Sequence, residues 1–106
     1  LKHEEAHALY MTNRNDVITH QLIGKGGLSE TIVDVRLVMK GAVLNDAIAI
    51  AFCHNHPSGS AMPSRHDDIL TTRLSVAAEA MTLRFLDHVI ITENGEYYSY
   101  SEEGKL

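Results

Sequence analysis

The sequence predicts one small α/β domain, and three stretches carry that prediction. Ala47 to His54 reads as a strand with Ala47, Ala49, Ala51 and Cys53 on one face and Ile48, Ile50, Phe52 and His54 on the other. Arg65 to Met81 repeats the apolar residues Leu70, Leu74, Ala77 and Met81 along one stripe of a helix. Arg84 to Thr92 and Tyr97 to Ser101 read as strands, and Glu93-Asn94-Gly95-Glu96 between them is a turn of the hairpin sort.

The other elements follow in chain order. Glu5 to Met11 and the stretch holding Val17, Ile18, Leu22 and Ile23 are extended patterns separated by the turn residues Asn13-Arg14-Asn15-Asp16. Gly24 to Gly27 is expected to break the second of these strands. Ser29, Thr31 and Asp34 are candidate caps for a helix with Val35, Val38, Met39, Ala42 and Val43 on its apolar side. Neither face of Ala47 to His54 is polar before its last residue, so this strand is expected to be central and buried on both sides. The segment from His56 to Pro63 is a loop whose ends are stiffened by Pro57 and Pro63.

A chain of 106 residues with 44% hydrophobic content suffices for one compact domain and is too short for two ordinary ones. Its single cysteine cannot form an internal disulfide, and no secretory leader is visible, so a reducing cytoplasmic setting is expected. No apolar run approaches the ~20 residues that cross a bilayer. The formal net charge is −5, and the nine Lys and Arg residues are scattered singly. Direct nucleic-acid binding by this domain is therefore not expected, although DNA delivered by another domain stays open.

His54-Asn55-His56 stands at the end of the apolar strand, where residues i and i+2 project to the same side. Pro57 then turns the backbone, and a carboxylate arrives on the next helix at Asp67. Two imidazoles and one carboxylate, with one position left for water, form the pattern of a catalytic zinc site. Such a site also needs a carboxylate to carry a proton and a donor for a developing oxyanion. Ser64 and Asp67 have a purely structural reading too, since Ser-x-x-Asp at a helix start is close to a capping box; the two readings are compatible. Cys53 should point away from His54 as a small core residue. Asp87 and His88 interrupt an apolar strand, where they form either a buried hydrogen-bonded pair or a support or wall of the site. His3, His7, His20 and His66 have no partner at metal spacing, and His66 is the one nearest a supporting role.

His54-Asn55-His56-Pro57-Ser58-Gly59 followed by Ser64-Arg65-His66-Asp67 resembles the JAMM signature of JAB/MPN metalloprotease-type domains. Leu86-Asp87-His88-Val89-Ile90 and the ending Tyr98-Ser99-Tyr100 with Glu102 and Gly104 resemble, more narrowly, the C-terminal domain of RadC proteins. The likeness covers most of the chain and is weakest from Gly24 to Val43; the stretch around Asp34 to Leu37 lacks a His-Pro-Arg-Glu run associated with the family. The resemblance implies a mixed, mostly antiparallel curved sheet sandwiched by helices, the three-layer arrangement also found in cytidine deaminases. It implies Zn2+ on His54, His56 and Asp67, Glu4 as general base with Glu5 as the fallback, and Ser64 as oxyanion donor. Residues 1–106 would be one such domain, without the N-terminal helical region usual in RadC proteins. The function implied is a zinc-dependent metallopeptidase or isopeptidase acting on a peptide or protein. The alternatives are a DNA-repair-associated RadC module without peptidase activity and a catalytically silent MPN interaction domain. The letters His-Asn-His also evoke HNH nucleases, but that name describes dispersed residues of a ββα unit.

Overall fold

Tyr10 shows how the sheet and the first helix are joined. Its ring is fully buried, and its hydroxyl donates to the carbonyl of Val38 at 3.0 Å. The computed structural model describes residues 3–25 and 33–106. Its elements are β1 (Glu5–Met11), β2 (Val17–Lys25), α1 (Val35–Leu44), β3 (Ala49–Asn55), α2 (Arg65–Ala80), β4 (Arg84–Ile91) and β5 (Tyr97–Ser99).

The five strands form one sheet in the order β2-β1-β3-β4-β5. β1 pairs antiparallel with both β2 and β3, and β5 pairs antiparallel with β4. β3 and β4 are parallel, which requires a crossover, and α2 supplies it. The expected mixed, mostly antiparallel α/β architecture is thus present. In register, Ala6 faces His54, Ala8 faces Phe52 and Tyr10 faces Ile50. These side chains share one side of the sheet, and all but His54 join Val35, Val38, Met39 and Ala42 of α1 and Leu70, Leu74 and Ala78 of α2 in a single hydrophobic core cluster. Small residues on β1 allow this close approach, and both described helices lie against the same face, so they cover one side of the sheet where the resemblance implied a sheet sandwiched in three layers.

That placement corrects three details read from the sequence. β3 was expected to be buried on both sides, yet Ala51 and Cys53 are only half-buried because both helices sit over Ile50 and Phe52. Val43, which has the spacing of the apolar side of α1, is exposed, whereas Val35, Val38, Met39 and Ala42 are buried. On α2 the buried stripe is Leu70, Thr71, Leu74 and Ala78; Met81 is exposed at the C-cap.

Element ends also shifted. β2 runs through Gly24, which an edge strand tolerates, and ends at Lys25 within the stretch expected to break it; Gly26 and Gly27 lie outside the described residues. Asp34 is the N-cap of α1, its carboxylate accepting from the Arg36 N–H at 2.9 Å, while Ser29 and Thr31 fall outside the described residues. β5 ends at Ser99 rather than Ser101 because the backbone turns there, Glu103 N–H donating to the Ser99 carbonyl. No helix among the described residues is long and apolar enough to cross a membrane.

Candidate metal centre

β3 carries His54 to the end of the core, and Pro57 follows at the point where the strand gives way to the loop. The first turn of α2 brings Asp67 to the same place. Ser64 is the N-cap of that helix: its Oγ accepts from the Asp67 N–H at 3.1 Å, and its own N–H donates to Asp67 Oδ2 at 2.8 Å. This capping box fixes the Asp67 carboxylate before any ligand is considered.

The three side chains meet. His54 Nε2 lies 3.0 Å from His56 Nε2 and 3.1 Å from Asp67 Oδ1, and His56 Nε2 lies 3.1 Å from Asp67 Oδ2. Which ring nitrogens carry protons follows from their other partners. Thr71 donates its hydroxyl proton to the Asp67 carbonyl at 2.8 Å, so its oxygen must accept from His88 Nδ1–H at 2.6 Å. His88 Nε2 then accepts from His54 Nδ1–H at 2.8 Å, which leaves the His54 Nε2 lone pair unshared. The Ser60 carbonyl, an obligate acceptor, likewise takes His56 Nδ1–H at 3.0 Å.

Two nitrogen lone pairs and a carboxylate therefore point at one another with no hydrogen between them. They repel unless a positive charge sits among them, either a proton held by an imidazole or a metal ion. The spacing fits a metal: zinc with bonds of about 2.0–2.1 Å has tetrahedral edges of about 3.3 Å. Among the described residues this is the group of His, Cys, Asp and Glu close enough to hold an ion.

Electrostatics agree with this arrangement. Burial disfavours the charge of Asp67, but when the positive charge among the three groups is a proton on an imidazole, the hydrogen bond from His54, the Ser64 N–H and the charge at His54 and His56 outweigh burial and hold the carboxyl well below the usual range. His88, fully buried, is pushed down to about 3 by desolvation and then by charge at His54, so it stays neutral as the proton assignment requires. Its ring stacks on Tyr100 at 4.9 Å and meets Phe52 edge-on.

Glu4 is 7% exposed and belongs to the same place. It lines a narrow cavity of about 10 Å³ with His54, His66 and Asp67, and a cleft of about 430 Å³ with His56, Ser58, Ser60, Met62, Ser64 and Asp67. Glu5 points elsewhere, its carboxylate 3.2 Å from His7 Nε2, so of the two glutamates Glu4 faces the centre. His7 and His20 sit together on the other side of β1, with rings 6.0 Å apart. Cys53 also faces away from His54, and burial raises its thiol pKa. A larger apolar groove of about 490 Å³ runs between α1 and α2, but it contains none of these groups.

Asp87 and His88 turn out to do different things. His88 contacts His54 directly, whereas the Asp87 carboxylate accepts from the N–H groups of His88 and Ser101 and from the Ser99 hydroxyl, tying the C-terminal turn to β4. Two participants escaped the sequence reading. Thr71 could have been found from its place one turn after Asp67 on α2. Asn55 is only the spacer of His-x-His in the sequence pattern, yet its side chain grips the backbone on both sides of Glu4.

The profile of the RadC-like JAB domain matches residues 1–105. The chain belongs to the RadC-like JAB family. Curated relatives, each named a UPF0758 protein, include one from Flavobacterium johnsoniae, 46% identical over 98% of this chain, and one from Porphyromonas gingivalis, 42% identical over the whole of this chain. The match covers 45% and 47% of those two proteins, so the RadC-like JAB chain spans less than half the length of these relatives.

Proposed function

We propose that this RadC-like JAB domain is a zinc-dependent hydrolase of amide bonds, a metallopeptidase or isopeptidase working in the cytoplasm. The observation that carries the reading is the convergence of the His54 and His56 Nε2 lone pairs with the Asp67 carboxylate, with Glu4 buried beside them. His54, His56 and Asp67 would hold the ion, which when bound acts as a Lewis acid and brings the pKa of water to about 7.

The remaining roles fall to the chain's own groups. The Glu4 carboxylate accepts the proton of the attacking water and returns it to the departing amine nitrogen. The Ser64 Oγ takes its hydrogen bond from the Asp67 N–H, so capping does not consume the hydroxyl proton, which is available to the carbonyl oxygen as negative charge builds there. The cleft lined by Ser58, Ser60 and Met62 offers the space in which a peptide or isopeptide would lie.

Elemental analysis of protein purified without chelator tests the metal, and Glu4→Gln tests the chemistry. One zinc per chain is expected in the parent, its loss in the His54→Ala, His56→Ala double variant, and retained zinc with lost peptide hydrolysis in Glu4→Gln. A folded parent that takes up no zinc when supplied would overturn the hydrolase reading and leave a catalytically silent interaction domain in its place.

A further inference from the structure

Glu4 lies just before β1; the ladder to β2 ends with the Glu5–Lys25 pair and the ladder to β3 one residue earlier, with the Ala6–His54 pair, so no ladder pair includes residue 4 and the β3 side is open beside it. A carboxylate there would be expected to fray with the end of the strand. Instead the side chain of Asn55 replaces the missing rungs. Asn55 Oδ1 accepts from the Glu5 N–H at 2.6 Å, and Asn55 Nδ2 donates to the His3 carbonyl at 2.8 Å. One amide thus holds the peptide groups on both sides of Glu4, and it is 7% exposed, which shields these bonds from water.

We propose that Asn55 is a positioning residue that holds the Glu4 carboxylate against the His54, His56 and Asp67 centre. The inference rests on Glu4 being the proton carrier of that centre. Both ends of the amide are needed. An alanine offers neither contact, and an aspartate keeps the acceptor for Glu5 but sets a negative oxygen against the His3 carbonyl. Residue 55 also lies between the two histidines, so the element that supplies the ligands supplies the clamp, and the position of Glu4 is tied to that of His54 and His56. Asn55 contacts none of the three ligands through its side chain, so its removal should leave metal binding in place.

The test uses the full chain with cobalt(II) added as the probe, labelled with 13C at the glutamate carboxyls, the Glu4 signal being assigned by its absence in Glu4→Gln. Bound cobalt broadens nuclei steeply with proximity. In the parent the Glu4 signal should be strongly broadened. In Asn55→Ala cobalt should bind with unchanged stoichiometry and the Thr71 methyl should be broadened as before, while broadening at Glu4 falls several-fold and the Glu5 amide exchanges about tenfold faster. Asn55→Asp should give a partial loss, and it carries the test if the alanine variant fails to fold. Equal broadening of Glu4 in the parent and in the variants would overturn the positioning role while leaving Glu4 at the centre. Absence of broadening at Glu4 in the cobalt-loaded parent would overturn both this role and the assignment of Glu4.

Discussion

His88 Nε2 and His54 Nδ1 are joined by a 2.8 Å hydrogen bond in the interior of the domain. The bond belongs to a line that begins at the Asp67 carbonyl, passes through Thr71 and His88, and ends at the Nε2 lone pair of His54. Asp67 therefore bears on the centre twice, through its carboxylate and through its backbone, and the tautomer of His54 is settled by residues that lie outside the cleft.

Replacing His88 by phenylalanine keeps an aromatic ring against Tyr100 but strands the Nδ1–H of His54. Loss of such a partner ordinarily weakens metal binding about 10–100-fold. Zinc affinity of His88→Phe, measured by competition with a chromophoric chelator, should fall by that order while the far-ultraviolet circular dichroism stays that of the parent.

The same residue makes a prediction about acid. Its folded pKa of about 3 lies below the unfolded value of about 6.5, so the unfolded chain binds the proton first. The stability that neutral His88 contributes is complete above pH ~6.5 and declines as the pH falls toward ~3. Denaturant titrations of metal-free protein should show the parent losing stability relative to His88→Phe across that window. A constant difference between the two would mean that His88 does not stay neutral in the fold.

Ser64 serves as both cap and proposed oxyanion donor, and two substitutions separate these from a mere surface role. Ser64→Ala should lower stability by about 1 kcal/mol through loss of the cap and also lower turnover by about 10²–10³. Ser64→Thr keeps the hydroxyl and should retain most of both. A thermal melt and a peptide-cleavage assay on each variant are sufficient; a stable, fully active alanine variant would remove Ser64 from the mechanism.

Gly41 sits inside α1, where alanine would ordinarily help by roughly 0.5–1 kcal/mol. Here an added Cβ would run into the hydroxyl end of the Tyr10 ring and come within 2.8 Å of Gln21 Oε1. Tyr10 is fully buried and cannot swing away. Gly41→Ala should therefore destabilise by about 1–3 kcal/mol in urea titrations, against the helix-propensity trend.

Much of the domain was legible in the sequence because its signals are local. The alternation ending at His54 marked β3, the spacing of Leu70 and Leu74 marked α2, and Ser64 with Asp67 marked a cap that is present in full. The two histidines and the aspartate could be grouped because a two-residue step on a strand and a Pro-ended loop leave few places for a helix start to go. Burial was harder to read. Val43 and Ala51 look as apolar as Val38 and Ile50, and only the packing of both helices on one face separates exposed from buried.

The sequence by itself determined which side-chain types gather, and where, since identity and spacing along one strand and one helix are one-dimensional facts. Tertiary structure alone decided how those side chains are oriented and which nitrogens carry protons. Thr71 and His88 are 17 residues apart and Asn55 and Glu5 are 50 apart. No periodicity links such pairs; they meet because β4 lies parallel to β3 beneath α2 and β1 lies antiparallel beside β3. A hydrogen bond depends on a few tenths of an ångström and on which atom carries the proton, and only the assembled sheet and helix fix both.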